Sequence, residues 1–171
     1  MISFTAENAT LKVLVFREGV LAAIGHDLVL RATRFSAQLS EARDRLVVRC
    51  EAASLEVESA LRDGQPLPEA FDEADRRKIE RSMREEVLDV RRHPEVVFES
   101  RTRAPAGTFT GLLTLHGQAR EVSGKLSERD GRLEGELSID QPAFGIRPFT
   151  AFLGGLKVRR EVVVRLSLPL G

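Results

Sequence analysis

Three histidines and one cysteine head the short list of side chains that could do chemistry in this chain. His26 stands beside Asp27, His93 precedes Pro94 and His116 precedes Gly117, so each falls at an expected element end. Three imidazoles gathered at one rim would suit a catalytic zinc, which takes three protein ligands and keeps one position open. No two of them share the His-x-x-x-His spacing of a helical metal site, so no metal is expected and turn or capping hydrogen bonds are the roles left. A Ser/His/Asp relay fares no better, because neighbours on a strand point to opposite faces and His26 is thereby parted from Asp27. The chain has neither a Gly-x-Ser-x-Gly elbow nor a Gly-x-Gly-x-x-Gly phosphate loop. An enzyme is not expected, and no cofactor is implied.

Cys50 is alone, which excludes an intramolecular disulfide and a Cys-x-x-Cys motif. It alternates with Leu46 and Val48 and reads as a small buried hydrophobe. The 26 basic and 26 acidic residues balance, so no global field favours nucleic acid or an anionic membrane. Without Trp or Tyr, stacking on single-stranded bases is poorly supported, and no nucleic-acid partner is expected. Residues 1–10 show no basic segment followed by a continuous apolar run, and no later stretch reaches ~18 apolar residues. The expectation is a soluble, cytoplasmic protein.

The phenylalanines are more informative. Phe16, Phe35, Phe98, Phe109, Phe144, Phe149 and Phe152 are spread over many predicted strands. They could line a tunnel from several directions, or they could simply fill a core; the sequence leaves both open. A chain of about ten buried carbons in such a tunnel would gain roughly 8 kcal/mol before ordering costs. Phe149-Thr150-Ala151-Phe152, between Pro148 and Gly154-Gly155, is an apolar loop that could close one mouth or form a dimer contact. Arg147 beside it is the expected seat for the polar end of an amphiphile.

The elements that must position these residues are mostly strands. Leu11, Val13 and Val15 alternate with Lys12, Leu14 and Phe16, the period of a strand. Further strands are expected over Val20 to Ile24, over Leu28 to Leu39 with a bulge near Thr33-Arg34, and over Leu46 to Val57. Asp63 to Pro68 reads as a loop. Over 72–90 the spacing turns helical, with Ile79, Met83 and Val87 every four residues, an Asp72–Asp75 start signal and the end marked by His93-Pro94. Strands return at Val96 to Ser100, Phe109 to Leu115, Ala119 to Glu128, Arg132 to Ile139 and Lys157 to Leu168. Gly111 and Gly117 bracket a short apolar strand, and Asp130-Gly131 is a strong hairpin signal. The sum is a single domain over residues 1–171, mainly β: eight antiparallel strands closed as an up-and-down barrel, with one inserted helix.

Four stretches in this order resemble the YceI-like family of polyisoprenoid-binding, lipocalin-like barrels. They are Gly25-His26-Asp27-Leu28, the run from His93 to Ser100, Gly111 to Gly117 with Arg120-Glu121-Val122, and Phe144-Gly145-Ile146. The resemblance implies an eight-stranded barrel around an elongated apolar cavity that binds isoprenoid or other amphiphilic lipids. Many such relatives are periplasmic. The function expected is non-catalytic binding, sequestration or transport of a long-chain amphiphile, with Phe16, Phe35, Phe98, Phe109, Phe144, Arg147, Phe149 and Phe152 as candidate contacts. The runner-up is a packed barrel serving as a protein-interaction or homodimerisation module, with a metal-dependent enzyme a distant third.

Overall fold

The computed structural model describes residues 1–18, 26–67, 70–101, 106–151 and 156–171. The chain runs through β1 (Ile2–Thr5), β2 (Thr10–Val15), β3 (Arg17–Glu18), β4 (Asp27–Ala32), β5 (Phe35–Leu39), β6 (Leu46–Glu51), β7 (Leu55–Arg62) and β8 (Gln65–Leu67). The helix α1 (Glu73–Ser82) comes next, and then β9 (Glu95–Ser100), β10 (Thr108–Leu115), β11 (Gln118–Arg129) and β12 (Arg132–Asp140). The last strands are β13 (Thr150–Ala151), β14 (Leu156–Val158) and β15 (Glu161–Pro169). Twelve strands form one sheet in the order β1-β5-β6-β9-β10-β11-β12-β15-β2-β4-β7-β8, and β13-β14-β3 form a small second sheet. The expected strands Val20 to Ile24, together with Phe152, Gly154 and Gly155, lie outside the described residues.

The class is as expected, mainly β with one helix and a sheet curled in the lipocalin manner, but the strand count differs. Three expected strands, Leu28 to Leu39, Leu46 to Val57 and Lys157 to Leu168, are each broken in two, and a turn parts β1 from β2. Asn8 Oδ1 accepts from Thr5 N at 3.0 Å in the turn between β1 and β2. The anticipated bulge at Thr33-Arg34 is instead a break, where Thr33 N and Oγ1 both donate to Ser54 O at 3.0 and 2.9 Å. The ladder's register shift sits earlier, between Val29 and Leu30. Opposite that break, Ala52–Ser54 makes a 3₁₀ turn between β6 and β7, with Ala32 and Ala52 buried at the corner. Small side chains there let the two ribbons fold over each other.

Taken across these breaks, the chain makes eight antiparallel passes in sequence order, since β1 and β2 both pair with the β4–β5 pass, which pairs with β6–β7. The eighth pass, β15, lies beside β2. The sheet therefore turns back on its own beginning. Lys157 was expected inside the last strand, but the chain leaves the small sheet at Arg159 and Arg160. There Arg159 N donates to Phe16 O at 2.8 Å and Gln141 N donates to Arg160 O at 2.9 Å.

Three hairpins turn on two residues whose φ are both positive: Asp63-Gly64, His116-Gly117 and Asp130-Gly131. Their handedness matches the twist of the flanking strands. Gly111 has a different reason. It lies inside β10, and a Cβ there would collide with the Phe98 ring and stand 2.6 Å from Glu99 O.

Asp72 caps α1, its side chain accepting from Asp75 N at 2.8 Å in a reciprocal capping box, and the helix continues as a π turn over Met83–Val87. Helix side chains hold the outer edge of β7. Val57 N donates to Glu80 Oε1 at 3.1 Å, Arg76 donates to Val57 O, and Arg84 donates to Leu55 O at 3.2 Å. Those contacts cover backbone groups that an open sheet edge would leave bare.

Candidate ligand cavity

The buried apolar residues form two clusters rather than one plug. Phe4, Phe35, Leu39 and Leu168 belong to the first, and Leu113, Ile139, Phe144 and Ile146 to the second. Between and beside them lie two cavities. The one under α1 has a volume of about 590 Å³, and the one toward the β5–β6 turn about 460 Å³. Both fall within the ~300–1,000 Å³ range of small-molecule sites. Leu11, Cys50, Val96, Ile139 and Val164 line both, so the cavities abut at a waist. The waist residues come from β2, β6, β9, β12 and β15, and so encircle the interior.

The α1-side cavity is walled by Ile79, Met83 and Val87 of the helix segment and by Phe16, Phe71 and Phe149. The four-residue spacing that marked the helix is thus the spacing of a cavity wall. The far cavity is lined by Phe98 and Phe109, whose rings meet edge to face with centroids 5.6 Å apart. Gly111 and Gly124 make room for these rings, since a Cβ at Gly124 would strike Phe109 and Glu136 O.

The candidate residues from the sequence separate into two groups. Phe16, Phe98, Phe109 and Phe149 line a cavity, Phe149 remaining 38% exposed at the α1-side mouth. Phe35 and Phe144 are buried and pack the walls instead, lining neither cavity. Arg147 is exposed and lines neither. Phe152 lies outside the described residues. Phe71 and the helix residues were missed as lining, although the apolar spacing of Ile79, Met83 and Val87 could have signalled them.

The polar groups are placed at the openings. At the α1-side mouth Arg17 Nη1 is 3.3 Å from Asp27 Oδ1, and Lys157 Nζ is 3.6 Å from Glu18 Oε1. His26 meets the edge of Phe71 at 5.7 Å. The far mouth carries Arg43, Asp44, Arg45, Ser100, Arg101, Thr108 and Thr110. The waist is apolar by comparison. Burial pushes the Cys50 thiol up to about 11, and it donates to Glu51 O at 3.5 Å.

Two of the three histidines meet: the rings of His93 and His116 are 4.3 Å apart at a 50° tilt, with His116 in the His116-Gly117 turn. His26 is elsewhere. Among the described residues no group of three or more His, Cys, Asp or Glu is placed to hold a metal ion.

A curled antiparallel sheet, one helix across a β edge and an elongated apolar interior define a lipocalin-like barrel. The chain belongs to the family of the YceI-like domain, whose sequence profile matches residues 14–170. No curated protein matches it. Among solved structures it is similar to BcnA of Burkholderia cenocepacia, at 18% identity over 93% of this chain and 94% of that one, with a TM-score of 0.60. It is similar also to a polyisoprenoid binding domain from Saccharophagus degradans implicated in plant cell wall breakdown, at 11% identity over 93% and 91%, TM-score 0.56. A YceI protein of Campylobacter jejuni matches at 13% identity over 68% and 70%, TM-score 0.50. At these identities the likeness is one of fold. No helix among the described residues is long and apolar enough to cross a membrane.

Proposed function

We propose that this protein binds a long-chain amphiphilic lipid, isoprenoid-like in shape, within the barrel and without catalysing a reaction on it. The observation that carries the reading is the pair of apolar cavities meeting end to end at the waist of Leu11, Cys50, Val96, Ile139 and Val164. A packed core would close that space, because protein interiors leave few voids larger than a water molecule. A slender chain threading both cavities would bury apolar surface at roughly 0.8 kcal/mol per methylene. The contacts assigned to it are Phe16, Phe71 and Phe149 at the helix side and Phe98 and Phe109 at the far side. Family membership and the Saccharophagus degradans neighbour, described as polyisoprenoid-binding, support the same ligand class.

Sequestration or carriage of the ligand follows from this reading, in one domain spanning the chain. Native mass spectrometry of the protein purified from cells tests it. A lipid-sized adduct that leaves on solvent extraction is expected. A clean apo mass, with added dodecanoate failing to bind, would overturn the reading; a dimer mass in its place would favour an interaction module.

A further inference from the structure

We infer that the ligand's polar end is a neutral hydrogen-bond donor, an alcohol or an amide, and that Gln141 receives it inside the cavity under α1; this rests on the lipid-cavity reading above. Among the described residues only two polar ones are buried, Ser54 and Gln141. Ser54 Oγ donates to Arg34 O at 3.1 Å, and Ser54 lines neither cavity. Gln141 is 6% exposed and lines the cavity under α1, the exception to polar groups standing at the openings.

Its direction follows from the strand before it. Leu137 and Ile139 of β12 face the interior, and Gln141 keeps their parity, whereas Asp140 between them is turned out to Arg160 at 2.7 Å. Gln141 N donates to Arg160 O at 2.9 Å, and Gln141 O accepts from Ile146 N at 3.1 Å. The side chain is anchored as well, with Nε2 donating to Arg159 O at 3.0 Å. That bond orients the amide, because only the NH₂ end can serve a carbonyl. Oε1 is therefore turned the other way. It accepts from no described residue and is not sealed in protein, so it opens onto the cavity.

A buried amide oxygen without a donor costs free energy, and a chain filling the cavity displaces the water that could serve it. The ligand then has to bring the donor. A carboxylate only accepts, so it would face Oε1 unfavourably, whereas an alcohol O–H or an amide N–H completes the site. From there the tail passes the waist at Ile139, two residues back along β12, into the cavity of Phe98 and Phe109. The competing polar groups are the cations of the α1-side mouth. Arg17 and Lys157 face Asp27 and Glu18 there, and Lys78 is exposed to water. An anionic head held among them would leave Gln141 Oε1 without its donor.

The test is displacement of a hydrophobic fluorophore by 1-dodecanol, dodecanamide, 1-methoxydodecane and dodecanoate. The proteins compared are the wild type, Gln141→Leu and Lys78→Gln. The readout is the ratio of alcohol affinity to ether affinity, since the ether lacks the donor and each ligand's hydration is the same for every protein. That ratio should be about tenfold higher in the wild type than in Gln141→Leu, the worth of a buried acceptor satisfied rather than left bare. The amide-to-ether ratio should follow it. Gln141→Leu also loses the bond to Arg159 O, so wild-type crystals grown with 1-dodecanol give a reading that needs no variant. The hydroxyl oxygen should lie within about 3 Å of Oε1. A ratio unchanged by Gln141→Leu, or a hydroxyl seated elsewhere, would overturn the inference and leave the cavity reading standing. So would dodecanoate binding more tightly than dodecanol through a preference lost in Lys78→Gln. Failure of all four ligands to bind would overturn the cavity reading itself.

Discussion

Replacing Val164 by Phe should turn the waist into a stop. Val164 lines both cavities, and across the ladder it faces Leu137 on one side and Val13 on the other. A phenyl ring there fills the passage that a ligand chain must cross to reach the second cavity. Each methylene added to a saturated fatty acid is worth ~0.8 kcal/mol when buried. At about 1.4 kcal/mol per decade, that is close to fourfold in Kd for each added carbon. Ordering of the chain reduces the gain, so a rise of about twofold to fourfold per carbon is expected for wild type. The assay is calorimetric titration of a homologous series from octanoate to octadecanoate. In Val164→Phe the affinity should rise with length, then break to a plateau once the chain has filled a single cavity. Overpacking costs typically 1–3 kcal/mol in stability, so Val96→Phe, from the opposite side of the same waist, serves as the second variant. If both variants follow the wild-type curve through the whole series, the chain does not cross the waist and the reasoning fails.

Three further outcomes follow from particular residues. The Cys50 thiol stays protonated in the folded barrel up to about 11, while the unfolded thiol ionises near its ordinary value of 9.0. Stability is therefore intact below about pH 9 and declines by about 3 kcal/mol as pH rises through 11, a decline that denaturant titrations of Cys50→Ala should lack. Gly111→Ala should lower stability by about 1–3 kcal/mol in urea melts, since Glu99 O and the Phe98 ring occupy the space of the new methyl; an unchanged midpoint would show that the ring gives way freely. Glu80→Ala strips Val57 N of its acceptor and should cost about 1–2 kcal/mol. Hydrogen exchange at the Val57 amide should speed up in that variant, and unaltered protection there would count against the edge contact.

Much of the barrel was legible because strands and turns are local. Alternation over Leu11 to Val15 and Leu46 to Cys50 reports which face is buried. The pairs His116-Gly117 and Asp130-Gly131 report a turn because few other dipeptides accept two positive φ values. Ile79, Met83 and Val87 placed the helix correctly. The breaks were illegible: Ala52-Ala53-Ser54 sits among alternating residues, and its 3₁₀ turn is fixed by Thr33 from a distant part of the chain.

The interior was harder still. Phe35 and Phe98 are alike as letters, but Phe35 packs the wall while Phe98 faces the cavity, because burial on one face does not say how full that face is. The apolar stripe of the helix, Ile79, Met83 and Val87, walls the larger of these two cavities. Arg147 drew attention as the cation nearest an apolar loop.

Crystals grown with a long-chain fatty acid brominated at its terminal carbon provide the most direct measurement of whether the barrel interior holds a lipid chain. The bromine's anomalous peak should lie inside the barrel, in one of the two cavities, with continuous density passing the waist at Cys50 and Val164. A bromine on the outer surface, or an interior closed by repacked side chains with the acid bound nowhere, would contradict the account.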